Sequence, residues 1–383
     1  MTTTWCRRED GNDMGHSLHP LPGPCYPSAR PFDFALPDPF PTSSLTSVWH
    51  MTRRTGLLSL LAFPLALAAC SGGGQPASSE RVMRIGVVPK GMTHEFWKSI
   101  EAGARQAAAD LSKDGLKVEM IWKGPFREDD REQQIQVVEG FTSQRVDGIV
   151  LAPLDRQALV RPVVEAKRQG VPTVVIDSDL DTPEIVSFVA TDNKRGGAMA
   201  AEEIAAKLGG KGAVLLLRYQ QGSASTEARE AGFTEAMTRF PGITLIASEQ
   251  YAGPTRDTGK TASENLLNRH GKDLAGVFTV NETSTAGMML ALEDLSLAGK
   301  ISLIGFDATP AFEQAITDGK LHGFIVQNPF RMGYLGVETM VKHLRGEKVD
   351  ARIDTGVAVV TSKNLATPDI QKMLRPQATP SAP

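Results

Sequence analysis

The stretch Ile301–Pro310, ISLIGFDATP, decides how the rest of the chain is read. Ile301, Leu303 and Ile304 read as a short buried strand; the chain breaks at Gly305 and delivers Asp307 at the strand's carboxyl end. Thr309 can cap the next helix, with Pro310 in its first turn. A carboxylate just past a parallel strand stands where open α/β sheets bind ligands, in the crevice outside the strand ends. The device recurs: Val174-Val175-Ile176 end in Asp177, and Gly276–Val280 end in Asn281. Three polar side chains at three strand ends point to one shared site. The competing reading is that Asp and Asn simply favour turns and caps.

Working outward, short apolar runs alternate with helical patterns from Val82 onward. Ile85–Val88 is a strand, and Phe96, Ile100, Ala104, Ala107 and Leu111 mark one face of a helix. Val118–Ile121, Gly148–Leu151 and Val171–Ile176 continue the series. After Thr191-Asp192-Asn193 a second series follows, with strands at Ala213–Leu217, Ile243–Ala247, Val277–Val280, Ser302–Ile304 and Phe324–Val326, and a late strand at Val357–Val360. Such alternation predicts an α/β protein of two doubly wound parallel-sheet lobes. The expected first lobe comprises residues 82–190 and 328–356, the second 191–327 and 357–371, with a disordered tail over 372–383. The three crossings between them predict a hinge beside a cleft.

The chain of 383 residues opens unlike this. Prolines crowd residues 1–50 without apolar periodicity, which predicts no packed element and reads as an upstream, non-native extension. From Met51, Arg53 and Arg54 supply a positive start, Leu57–Leu67 an apolar run too short to span a bilayer comfortably, and Ala68-Ala69 a cleavage site. Leu67-Ala68-Ala69-Cys70 resembles a bacterial lipobox, which implies a signal peptide over 51–69, lipidation of Cys70 and a tether over 70–81. Ser71 beside the cysteine leaves the choice of membrane open. The other cysteines, Cys6 and Cys25, lie upstream, so the mature chain has no disulfide. A formal net charge of −3 gives no sign of nucleic-acid binding.

Several chemistries lack their motifs. Val88 runs into Pro89-Lys90-Gly91-Met92-Thr93, without the glycine spacing of a dinucleotide turn, and Gly209-Gly210-Lys211 has no upstream Walker glycine. His94-Glu95-Phe96-Trp97-Lys98 puts lysine where a zinc motif needs its second histidine. Gly222-Ser223-Ala224-Ser225 is no nucleophile elbow. No enzyme activity, cofactor or metal is expected.

Together, Ile85–Val88 with Phe96-Trp97, Asp147–Val150, Val174–Asp177, Ala190–Asn193, Arg229–Phe233, Asn281, Gly305–Asp307 and Gln327 resemble sugar-binding periplasmic proteins of the ribose/galactose type. The resemblance implies the type I periplasmic binding protein fold and a substrate-binding component of an ABC importer. It would be monomeric, lipid-anchored on the periplasmic side, and would deliver a sugar or polyol to a permease. A sensory receptor docking on a chemoreceptor or kinase is the alternative. It implies that His94, Phe96, Asp177, Asn281, Asp307 and Gln327 line the cleft; Trp97, Lys90, Ser178, Glu227 and Arg229 join them as candidates. Core packing competes for Phe96 and Trp97, and a surface ion pair for Arg229. Ribose binders carry arginine where Ser178 and Glu227 stand, and asparagine where His94 stands, so a sugar or polyol other than ribose is expected.

Overall fold

A computed structural model describes residues 81–113 and 115–376. The segments read as an upstream extension, a signal peptide and a tether, with Cys70, lie outside the described residues. The chain opens with β1 (Arg81–Val88), α1 (Glu95–Leu111), β2 (Leu116–Trp122), α2 (Arg131–Ser143), β3 (Gly148–Leu151), α3 (Val160–Arg168), β4 (Thr173–Ile176) and β5 (Ser187–Ala190). A second series comprises α4 (Asn193–Lys207), β6 (Gly212–Arg218), α5 (Ala224–Met237), β7 (Ile243–Tyr251), α6 (Arg256–His270), β8 (Leu274–Thr279), α7 (Glu282–Asp294), β9 (Ser302–Phe306), α8 (Pro310–Thr317) and β10 (Gly323–Gln327). The chain closes with α9 (Pro329–Leu344), β11 (Arg352–Asp354), β12 (Val357–Thr361) and α10 (Pro368–Leu374).

Two six-stranded sheets result, ordered β11-β5-β4-β3-β1-β2 and β12-β10-β9-β8-β6-β7. Every pairing within them is parallel except β10–β12, an antiparallel edge. The main chain passes between the sheets after β5, after β10 and between β11 and β12. β11 is a strand the sequence reading missed, three residues long and with both ends exposed. At the other end, α10 runs to Leu374, beyond residue 371 where a tail was expected, because Thr367-Pro368 starts a helix there and Ile370 is buried.

Alternation along each strand divides the apolar residues between two faces. From β1, Met83, Ile85 and Val87 pack beneath α1 and α9, whereas Val88 joins Phe141, Ile149 and Val163 on the α2–α3 side. In the second lobe Leu215 and Leu217 face α6, α7 and α8, and Val214 and Leu216 face α4 and α5. β3, β4, β5 and β10 are buried along their whole length, as strands covered on both sides must be.

In each lobe one helix pair meets at glycines. A Cβ on Gly103 of α1 would lie 1.9 Å from the Phe330 carbonyl oxygen, and one on Gly333 of α9 2.0 Å from that of Ile100. The second lobe repeats this with Gly197 of α4 against the Arg229 oxygen and Gly232 of α5 against the Lys194 oxygen, each at 1.9 Å. The obstruction is backbone, so only separation of the helices would relieve it. Gly197→Ala is expected to destabilise by about 2–3 kcal/mol in denaturant unfolding. Gly140→Ala on α2, where nothing lies within 4 Å of an added Cβ, should instead gain about 0.5–1 kcal/mol.

Candidate functional site

Parallel strands place their carboxyl ends along one edge, and the two edges face each other across the cleft. The loop after β1 brings Lys90 and His94, with Phe96 and Trp97 on the first turn of α1; the loop after β2 brings Glu128, and the end of β4 Asp177. From the second lobe come Tyr219 and Ser223 after β6, Ser225, Thr226 and Arg229 on α5, Asn281 and Glu282 after β8, Asp307 after β9 and Gln327 at the end of β10. These side chains line one cavity.

Asp177 and Asp307 occupy matching places in the two sheets. Each follows the third strand of its sheet's order and has a left-handed backbone, with φ of 62° and 70°. Each amide still bonds to the neighbouring strand, Asp177 N to Val189 O at 3.2 Å and Asp307 N to Ile325 O at 2.8 Å. Positive φ is costly for a residue with a Cβ, and Asp and Asn tolerate it better than most. The turn lifts the carboxylate off the end of the sheet into the cavity. Asp307 is no helix cap: Thr309 caps α8 by accepting from Phe312 N, with Pro310 at the first position. Its Oδ1 accepts from Gln327 Nε2 at 2.7 Å and its Oδ2 from Glu282 N at 3.0 Å. Burial pushes its pKa up, against the pull of Arg229 and Gln327.

Lys90 is buried and bridges the lobes. Its ammonium lies 2.8 Å from Asp177 Oδ2 and donates to Ser178 Oγ at 2.8 Å, and across the cleft to Ser225 Oγ at 3.1 Å and Ser223 Oγ at 3.4 Å. Asp177 Oδ2 thus faces the ammonium, whereas Gln327 Oε1 is buried and unpartnered. Glu128 is saturated: Trp97 Nε1 and the Tyr219 hydroxyl donate to it, and His94 Nδ1 stands 2.8 Å away. Burial alone would lower the His94 pKa, but Glu128, with Glu282 and Asp307 behind it, raises it to about 9. For Glu128 burial opposes ionisation, and His94, Lys90 and Tyr219 outweigh it to hold the pKa at about 2. Glu282 is raised to about 7, mainly by burial, with Asp307 adding to it.

The candidates divide unevenly. Lys90, His94, Phe96, Asp177, Arg229, Asn281, Asp307 and Gln327 line the cavity, and Trp97 lines it while packed in the core, only 3% exposed. Arg229 is no surface ion-pair residue: it is buried, donates to Asn193 Oδ1 and Val280 O at 2.8 Å each, and lies 3.8 Å over the Phe306 ring. Asn281 caps α7 with its Oδ1 accepting from Ser284 N and Oγ, so its acceptor is spent on the helix. Two candidates fall outside the lining. Ser178 lies behind Lys90, bonded to it and to Ser225, and Glu227 braces its own turn through Gly222 N at 2.8 Å and faces Arg156 at 3.6 Å. Glu128, Tyr219, Ser223, Ser225, Thr226 and Glu282 were not foreseen. Tyr219 had a signal, since it ends an apolar strand as Asp177 does.

Among the described residues no His, Cys, Asp and Glu cluster is arranged to hold a metal ion. Residues 85–348 match the family model of the periplasmic binding protein domain. The chain belongs to that family. This periplasmic binding protein is 32% identical over 281 residues to the ribose import binding protein of Escherichia coli K12, covering 73% of this chain and 90% of the relative. It is 31% identical to the D-allose-binding periplasmic protein of the same strain, over 69% of this chain and 85% of that one. Among solved structures, a carbohydrate transporter solute binding protein from Agrobacterium radiobacter, in complex with D-arabinose, superposes with a TM-score of 0.72 at 34% identity. That match covers 76% of this chain and 98% of the other.

The buried charges set a pH window. His94, raised from 6.5 to about 9, contributes stability that is whole below 6.5 and lost as pH climbs to 9. Glu282, raised from 4.5 to about 7, also favours the folded form at the acid end, losing its contribution between those values. Glu128, lowered from 4.5 to about 2, acts oppositely, its contribution vanishing as pH falls below 4.5. The thermal midpoint should therefore decline as pH rises from 6.5 to 9, and His94→Gln should flatten that limb of the profile.

Proposed function

We propose that this chain is the substrate-binding component of an ABC importer, taking a sugar or polyol into the cleft between its lobes. The observation that carries the reading is the pair of lifted carboxylates, Asp177 and Asp307, set facing one cavity from opposite sheets, with Gln327 Oε1 left over as a buried acceptor. Buried acceptors without donors are costly, and a ligand rich in hydroxyls supplies donors from each ring carbon. The half-buried Phe96 offers an apolar face against which sugar C–H groups can pack. The cavity between the lining side chains measures about 30 Å³, so in this reading the lobes part to take the ligand in. The kinship with ribose- and allose-binding proteins supports the same reading.

In this reading the protein works as a monomer on the periplasmic side of the cell envelope. It is anchored through a lipid on Cys70 and hands its ligand to a membrane permease. Lys90, His94, Phe96, Asp177, Arg229, Asp307 and Gln327 hold the sugar, with Glu128 orienting His94 and Trp97.

Asp307→Asn is the direct test. Asparagine tolerates the positive φ, and Thr309 keeps the cap, so folding should hold. The substitution turns one acceptor into a donor and removes the charge, costing about 2–4 kcal/mol of sugar binding, roughly thirtyfold to nearly a thousandfold. Calorimetry showing full affinity in the variant would remove Asp307 from the site. For the anchor, Cys70→Ser should leave unprocessed precursor and abolish incorporation of labelled lipid. Normal maturation of the serine variant would point to an ordinary signal peptidase.

A further inference from the structure

Helix α1 starts without a cap of its own. His94 stands at the capping position with extended backbone, yet its side chain makes no capping bond, its Nδ1 being turned to Glu128. The first amides of a helix have no intrahelical acceptor and need one from outside. Here the acceptor comes from the opposite lobe: Glu282 Oε2 lies 3.1 Å from Phe96 N and Oε1 3.4 Å from Glu95 N. Glu282 is itself the first residue of α7, and its own N–H donates to Asp307 Oδ2, which ties it to a carboxylate of the binding cavity.

We infer that Glu282 is the closure latch of this protein, a helix cap supplied in trans, so that the amino end of α1 is satisfied only while the lobes are shut. The inference rests on reading the cleft as a ligand site that opens and closes. A carboxylate is the favoured acceptor at this end of a helix, where the dipole and the free N–H groups both attract negative charge. Its position adds a second argument. Glu282 lines both the inner cavity and an outer one of about 510 Å³ that also touches Thr93, Arg127, Arg256 and Phe312 at the cleft mouth. Glu282 shares that boundary with His94 and Glu128, which line both cavities too. Other bonds also cross the cleft, between side chains from Tyr219 to Glu128 and from Lys90 to Ser225, and to backbone from Ser225 N to Ser178 Oγ and from Arg156 N to Gly222 O. Glu282 takes two amides of one helix start, whereas Ser178 takes a single one at the start of α5.

The test compares the full chain with Glu282→Ala and Glu282→Gln, following amide exchange residue by residue. Without added ligand, Phe96 and Glu95 should exchange about tenfold faster in the alanine variant, while Ala104 and Ala107 deeper in α1 stay as protected as before. Glutamine keeps one carbonyl acceptor and should restore part of the protection. D-arabinose, D-ribose and D-allose then serve as probes. Whichever binds should leave the alanine variant about tenfold faster, with its association rate unchanged. Unchanged exchange at Phe96 in both variants, with sugars binding normally, overturns the latch and leaves the sugar-binding reading intact. Faster exchange at Phe96 with none of the sugars bound by the parent upholds the latch and counts against that reading. If alanine loosens the whole helix, Ala104 reports it, and the glutamine variant decides alone: protection at Phe96 above the alanine variant's upholds the acceptor role, and protection as low as alanine's despite an intact Ala104 overturns it.

Discussion

Buried carboxylates need donors, and here the donors come from both lobes. Glu128, Asp177, Glu282 and Asp307 all face one cavity, and removing any of them from water is expensive unless hydrogen bonds or a cation compensate. Glu128 takes Trp97 and His94 from its own lobe and the Tyr219 hydroxyl from the other. Asp177 has Lys90 beside it, and the serines that position that ammonium are split between Ser178 on one side and Ser223 and Ser225 on the other. Each lobe has its own apolar cores, but the site has none. Glu128 and Glu282 draw donors from across the cleft, whereas Asp307 is served within its own lobe by Gln327 and the Glu282 amide.

The chain builds that edge twice. β4 and β9 hold the same rank in their sheets, each ends in an aspartate with positive φ, and each aspartate keeps one ladder bond through its amide. Behind each, two helices meet through paired glycines, Gly103 with Gly333 and Gly197 with Gly232. The second crossing bears directly on the site. The carbonyl that approaches Gly197 is that of Arg229, whose guanidinium is held by Asn193 at the start of the same helix, α4. Close helix packing thus fixes the depth of a buried cation, and the cation in turn lies within reach of Asp307.

How much of this could be read from the residues follows from range. Period-two and period-3.6 patterns are local, so the strands and helices of both lobes were legible, and so were strand-end residues such as Asp177 and Asp307. β11 was not, because three residues with exposed ends carry no period. Glu128 sits among Arg127, Asp129 and Asp130, where one more acid looks like a solvated turn. Glu282 follows Asn281 and reads as an ordinary first-turn acid; that it reaches amides 187 and 186 positions away in sequence is a property of two lobes in contact. The strand-end rule also merged two kinds of residue. Asn281 and Asp307 look alike in sequence, but Asn281 has φ of −160° and spends its oxygen on α7, whereas Asp307 has φ of 70° and leaves capping to Thr309. Backbone handedness separates the cap from the presented carboxylate, and neighbouring residue types do not reveal it.

Handedness also bears on the missing arginines. The ribose-type pattern sets an arginine directly after the carboxylate matching Asp177, and Ser178 stands here instead. With Asp177 at φ of 62°, the next side chain is turned back toward the lobe boundary, where Ser178 Oγ accepts from Lys90 and donates to Ser225. Ser225 N bonds to the same oxygen at 3.0 Å. A guanidinium at this position would remove that hydroxyl from three partners and aim a second cation at a carboxylate Lys90 already serves. The counter-charge of Asp177 enters from the loop after β1, on Lys90. The carboxylate keeps its counter-charge on the lobe boundary. An arginine at 178 would therefore set two cations against each other at Asp177.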